Sequence, residues 1–101
     1  MTSSARELPS PPLASAVTVS AESLVVELVD GRTLTVPLVW FPRLLHASAA
    51  ERMDWRLIGR GEGVHWAALD EDISIESLLV GRGSDESQGS LKRWLAARGA
   101  A

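Results

Sequence analysis

The sequence predicts an α+β domain: a small antiparallel sheet of about four strands in two hairpins, two short helices and a C-terminal tail helix. Three observations predict it. Two alternating apolar runs, "SLVVELVD" and "RTLTVPL", meet at Asp30-Gly31. After Pro37 the apolar spacing lengthens from the strand period to the helix period in "VWFPRLLHASAAERMDW". Alternation then returns on both sides of the glycine cluster Gly59, Gly61 and Gly63.

Residues 1–15 are rich in Ser and Pro, with Pro9, Pro11 and Pro12 close together. Such a stretch builds neither a helix nor a central strand, so it reads as a disordered arm, with order beginning near Val17. The single domain is placed at residues 16–81, and residues 82–101 are read as a Gly/Ser connection followed by a basic amphipathic tail helix.

Within the domain, "AVTVS" and "SLVVELVD" are β-rich runs parted by Ala21 and Glu22. Asp30-Gly31 predicts a type I′ hairpin, whose two central residues need positive φ. Leu24, Val26 and Leu28 then share one face, and Leu34 and Val36 face the same core from the partner strand. Pro37 cannot donate to a ladder and ends that strand. Pro42 suits a first helical turn, where a missing N–H costs nothing. Phe41, Leu44, Leu45 and Ser48 recur at helical spacing, with Arg43, His46 and Arg52 off the stripe. The spacing predicts one amphipathic helix of about ten residues, docked through Trp40, Phe41, Leu44 and Leu45.

"MDWRLIGRGEGVHWAAL" predicts the second hairpin, with Met53, Trp55 and Leu57 on one side and Asp54 and Arg56 on the other. In "LDEDISIESLL", Ser74 is a natural N-cap, Glu76 sits in the first turn, and Ile73 and Leu78 occupy the positions of a hydrophobic staple. The acidic triplet Asp70, Glu71 and Asp72 is accordingly read as a strand-to-helix connection. In the tail, "SLKRWLAARGAA" sets Leu91, Trp94 and Leu95 on one stripe, with Lys92 and Arg93 off it. A helix this short is marginal alone, so its apolar stripe must pack on protein, on this domain or across a dimer.

Composition narrows the function. The 101 residues suit one domain, and 46% hydrophobic with 23% charged residues is ordinary globular material. The absence of cysteine excludes disulfides, thiolate zinc sites and cysteine nucleophiles. No apolar run approaches the roughly 18 residues that span a bilayer, and the N-terminus lacks the basic and apolar regions of a signal peptide. No membrane association and a cytoplasmic location are therefore expected. Residues 1–89 carry seven arginines against thirteen acids, a net of −6, whereas residues 90–101 carry Lys92, Arg93 and Arg98 and no acid. An acidic body repels phosphate backbones, which argues against nucleic acid as a partner of the isolated chain.

Candidate chemistry is sparse. His46 and His65 are the only histidines and lack metal-ligand spacing. Asp70, Glu71 and Asp72 could recruit a divalent cation or work as acid and base with His65, but adjacent residues on a turn diverge. "GRGEG" and "GRGS" do not match a P-loop, and no serine sits in a nucleophile elbow. Trp55 and Trp66, at strand spacing, could stack bases, but core packing is the simpler use of indoles in a chain with so few aromatics. No cofactor and no catalytic activity are expected.

Asp30-Gly31-Arg32, the Trp40 to Leu45 segment, and Trp66 with Leu69, Asp70, Asp72 and Ile73 to Leu79 resemble the bacterial domain-of-unknown-function family 2442, over roughly residues 17–81. The resemblance implies a small α+β fold in bacterial cytoplasm. It also implies a neighbouring small partner family of unknown function (4160), in pairs that look like toxin–antitoxin modules. It supplies no catalytic residues. The leading expectation is thus a non-catalytic protein-interaction module, the antitoxin-like member of a small gene pair. It would bind a small cognate protein or a second copy of itself through Leu91, Lys92, Arg93, Trp94, Leu95 and Arg98. An accessory to DNA regulation, using the basic tail, comes second. A metal-dependent enzyme built on the 70–72 loop comes third.

Overall fold

The computed structural model describes residues 11–99. Of the arm expected over residues 1–15, the first ten lie outside the described residues. Strand β1 (Ala14–Val19) begins earlier than the expected onset near Val17. The reason is a partner the local sequence does not display: β1 pairs antiparallel with β2 (Ser23–Leu28), from Ala14 opposite Leu28 to Val19 opposite Leu24, with an irregularity between Ala14 and Ala16. β2 pairs in turn with β3 (Thr33–Pro37), Leu24 opposite Val36 and Val26 opposite Leu34. Leu24, Val26, Leu28 and Val36 are buried as the alternation predicts.

The hairpin at Asp30-Gly31 exists, but only Gly31 takes positive φ, at 96°. Leu28 O accepts from Gly31 N at 3.0 Å while Leu28 N donates to Arg32 O at 2.8 Å, so Val29, Asp30 and Gly31 form a three-residue loop instead of a type I′ turn. Asp30 stays in the ordinary φ range because such a loop needs positive φ only at its last residue, and its carboxylate accepts from Arg32 N at 3.0 Å and from the Arg32 guanidinium at 2.8 Å.

The expected ten-residue helix is two short ones, α1 (Pro42–Leu45) and α2 (Ala49–Met53). Ser48 restarts the helix with a capping box: its hydroxyl accepts from Glu51 N and the Glu51 carboxylate accepts from Ser48 N. Arg52, expected off the stripe, reaches back to the end of α1 and donates to Leu44 O at 3.0 Å and Leu45 O at 2.8 Å. Met53 closes α2 in solvent instead of joining the following strand. Phe41 and Leu44 are buried, with Trp40 and Leu45 packed at the edge of the core.

The second hairpin joins β4 (Trp55–Ile58) and β5 (Gly63–Trp66). The stretch read as a connection supplies a further strand, β6 (Glu71–Ser74), paired with β5. The α+β class therefore holds with six strands in two three-stranded antiparallel sheets, β1-β2-β3 and β4-β5-β6. Ser74 ends β6 and caps α3 (Ile75–Leu79), accepting from Ser77 N, and Ile73 and Leu78 are both buried. The tail forms α4 (Gln88–Gly99), capped by the Ser87 hydroxyl, which accepts from Ser90 N at 3.0 Å.

The two sheets share one core, in which Leu24, Val26 and Val36 meet Val64, Trp66, Leu69 and Ile73. They also touch through backbone: Ala14 N donates to Gly61 O at 2.7 Å. Gly61 is required there, since a Cβ would lie 2.4 Å from Ala14 O and its φ is +108°. Trp66 is 0% exposed, and its indole N–H donates to Arg52 O at 3.1 Å. No helix among the described residues is long and apolar enough to cross a membrane.

Candidate functional site

The tail lies on the domain along α1 and α2. Arg43, on α1, grips Glu86, in the segment ahead of α4: Nε donates to both carboxylate oxygens at 2.9 and 3.0 Å, and Nη2 to one of them at 2.7 Å. Its Nη1 donates to Leu69 O at 2.8 Å, tying the same guanidinium to the turn before β6. Ser90 Oγ donates to Glu86 at 2.8 Å. Arg98, near the other end of α4, forms a two-pronged pair with Glu51 of α2 at 2.8 and 3.0 Å. Trp94 lies between the two arginines, which stand 5.0 and 4.5 Å from its ring centroid.

These pairs tune their members. The Arg98 guanidinium, helped by Ser48 N–H, holds the Glu51 carboxyl down at about 2. Arg43 lowers Glu86 and is itself raised by it, and Glu51 likewise raises Arg98. The Arg43–Glu86 pair is the drier of the two, with side chains 16% and 8% exposed. Charge-assisted, multidentate geometry of this kind fixes direction as well as position.

Of the six residues assigned to partner binding from the sequence, Leu91, Trp94 and Leu95 are half-buried, and Trp94 packs against the domain's core. Lys92 and Arg93 are exposed, and Arg98 is committed to Glu51. Sequence reasoning missed the receiving side, Arg43 and Glu51, and the tail's own Glu86. Glu51 was legible as the fourth residue of a Ser-Ala-Ala-Glu capping box, whereas nothing local marks Arg43 as the partner of a glutamate 43 positions away.

The acidic triplet is pulled apart by the register of β6. Asp70 turns the chain in the left-handed region, at φ 52°, and is exposed. Glu71 lies opposite Trp66, itself opposite Trp55, on the core side of the sheet. Asp72 lies on the outer side opposite His65, itself opposite Arg56, and Asp72 Oδ1 meets His65 Nδ1. Burial pushes the Glu71 carboxyl up to about 7, with Glu86, Asp72 and Asp70 adding to the rise and Arg43 opposing it. His46, at the end of α1, is far along the chain from this row and exposed.

Solved structures share the architecture. A crystal structure of a protein of unknown function from Rhodospirillum rubrum is similar at a TM-score of 0.65 and 26% identity, over 81% of this chain and 99% of that one. A solution structure of an uncharacterized protein from Chromobacterium violaceum is similar in fold at a TM-score of 0.62 and 23% identity, over 88% of this chain and 78% of that one. No curated protein matches the chain. The family model described as protein of unknown function (DUF2442) matches residues 14–84, from the first strand through α3 to the connection ahead of the tail. The chain belongs to that family.

Proposed function

We propose that the chain is a non-catalytic protein-interaction module of the bacterial cytoplasm, the antitoxin-like member of a small gene pair, and that it works through its tail and the surface beneath it. One observation carries the reading. α4 contains no buried residue, yet the tail is held at two points of opposite sign, Glu86 just ahead of α4 on Arg43 and Arg98 within it on Glu51, with Trp94 between them in the chain. A surface that is positive at one end and negative at the other accepts a helix in one direction only. A tail attached by two ion pairs and a half-buried tryptophan can exchange them for a partner's groups, a helix-in-groove mode in which Leu91, Trp94 and Leu95 are the anchors. Lys92 and Arg93, exposed on α4, would meet an acidic partner.

The test is a pull-down of the tagged full chain from its native host, with mass spectrometry of what co-purifies. A stoichiometric small protein, lost from Leu91→Ala/Trp94→Ala/Leu95→Ala, supports the proposal. A chain that emerges monomeric by light scattering and without a stoichiometric protein refutes it. The accessory-to-DNA reading rests on the adjacent exposed pair Lys92 and Arg93, because Arg98 is engaged. Salt-dependent DNA binding lost in Lys92→Glu/Arg93→Glu would favour it instead.

A further inference from the structure

Three of the four sheet edges carry a feature that opposes the addition of another strand. β1 is irregular between Ala14 and Ala16, and Ala14 N already donates to Gly61 O. β4 exposes the charge of Arg56, and β6 that of Asp72. β3 has neither device. Thr33 to Val36 is regular in register and uncharged, and proline enters only at Pro37, its last residue.

The phase of the ladder decides which groups this edge offers. Leu28 N donates to Arg32 O at one end and Leu38 N to Glu22 O at the other, in the same register as the pairs between them. Hydrogen-bonded pairs alternate along an antiparallel ladder, so Leu34 and Val36 bond to β2 while Thr33 and Thr35 turn their N–H and C=O groups away from it. No strand lies on that side, and no other backbone group among the described residues meets Thr33 or Thr35. Both residues are exposed.

We infer that the free edge of β3 is a self-association surface: it pairs antiparallel with β3 of a second copy, about a two-fold axis at Leu34. The inference is independent of the tail reading, because it uses a different surface. With the axis at Leu34, Thr33 of each copy lies opposite Thr35 of the other, and every outward N–H of these threonines finds a carbonyl. An axis at Thr35 would set Pro37, which has no N–H, opposite Thr33. An axis at Thr33 would set Thr35 opposite Gly31, whose N–H is already given to Leu28 O at 3.0 Å.

The flanks agree with the same axis. Leu34, half-buried at the rim of the core, would meet its own counterpart. Val29 and Val39 are 64% and 65% exposed and lie five residues to either side of Leu34, so Val39 of one copy comes to the end that carries Val29 of the other. Arg32 comes to the end of the second copy where Glu22 is exposed, and not to its own counterpart. Because each edge is consumed by the other, assembly closes at two chains. A contact one five-residue strand long, about 17 Å, buries less than the roughly 1,200–2,000 Å² of a standard interface, so the dimer is a weak one, formed at about 0.1–1 mM chain.

Sedimentation equilibrium and amide NMR of the full chain, from about 10 μM to 1 mM, test this. The parent is expected to approach a dimer and no larger species, with the Thr33 and Thr35 amides shifting and gaining protection from exchange as concentration rises. The Leu34 and Val36 amides, bonded to β2, should be protected throughout. Thr33→Lys/Thr35→Lys sets like charges opposite each other twice and is expected to weaken association about tenfold or more. Thr33→Lys/Thr35→Glu sets opposite charges across the same two pairs and is expected to associate at least as well as the parent. A parent that stays monomeric to about 1 mM, or concentration-dependent shifts confined to Trp55 and Leu57 of β4 or to residues 88–99, would overturn the inference. So would a Lys/Lys variant that associates like the parent, or a Lys/Glu variant that is folded and monomeric.

Discussion

Trp66→Ala should remove most of the domain's stability. The side chain is 0% exposed and sits mid-row between Trp55 and Glu71, with Val64 beside it in the strand. An aromatic side chain buries about 150–250 Å², and at about 25 cal/mol per Å² its transfer alone is worth roughly 4–6 kcal/mol, of which the alanine methyl returns a small part. Mutational series for buried Trp or Phe to Ala give about 3–5 kcal/mol. The change also leaves the partly buried Arg52 O without its indole donor, at about 1 kcal/mol. Against a total of about 5–15 kcal/mol for a small domain, the variant should be unfolded or barely folded. Trp66→Phe keeps much of the ring but loses the hydrogen bond, so it should fall between the two. Urea denaturation, followed by far-UV circular dichroism, gives the midpoints. A Trp66→Ala midpoint equal to the parent's would refute the reasoning and restore Trp66 to the surface as a stacking platform.

Three further outcomes follow from the same contacts. Glu51 has its carboxyl lowered from 4.5 to about 2, so its contribution is fully present above the ordinary glutamate range and lost as pH falls toward 2. Glu51→Gln should therefore lower melting temperature at neutral pH and narrow its difference from the parent in acid, and a constant difference across that range would contradict the assignment. Gly61→Ala should be clearly more destabilising than Gly31→Ala by chemical denaturation: both positions have positive φ, worth about 1–3 kcal/mol of strain, but only at Gly61 does the new Cβ meet backbone, 2.4 Å from Ala14 O. Asp70→Ala/Asp72→Ala should shift the melting temperature by breaking the His65–Asp72 pair, while leaving partner binding within a few-fold; a micromolar divalent-cation complex lost in this variant, seen by calorimetry, would show that the loop is a metal site after all.

The parts of the fold legible in the sequence are those written in local patterns. Asp30-Gly31 announced a hairpin, Ser74 with Ile73 and Leu78 a helix start, and the alternation of Leu24, Val26 and Leu28 a buried face. The misreadings have physical causes. Ser48 carried the apolar period onward while its hydroxyl and Glu51 were ending one helix and starting the next. Glu71 to Ser74 is short and polar, and it is a strand only because β5 offers it hydrogen bonds from elsewhere in the chain. The tail's stripe was visible, but its receptor was not, because Arg43 and Glu86 are 43 positions apart in the sequence and no local pattern pairs them. Arg43 looked like a solvated residue off the apolar stripe, and its two hydrogen-bonded partners, Glu86 and Leu69 O, are both non-local.

The two anchors of α4 also make it a gauge. Ser90, which holds Glu86, and Arg98, which holds Glu51, are separated by eight residues of helix, about 12 Å along the axis. α1 and α2 are too short to stand alone, and α4 lies across the break between them as a splint of fixed length. Its phase matters as much as its length. Deleting one residue, such as Ala96, turns everything beyond it by about 100° and swings Arg98 away from Glu51, while Arg43 and Glu86 stay joined. Composition, charge and apolar content would barely change, yet the splint would no longer span the joint. The spacing between the two anchors is therefore a constraint on the tail separate from its residue types.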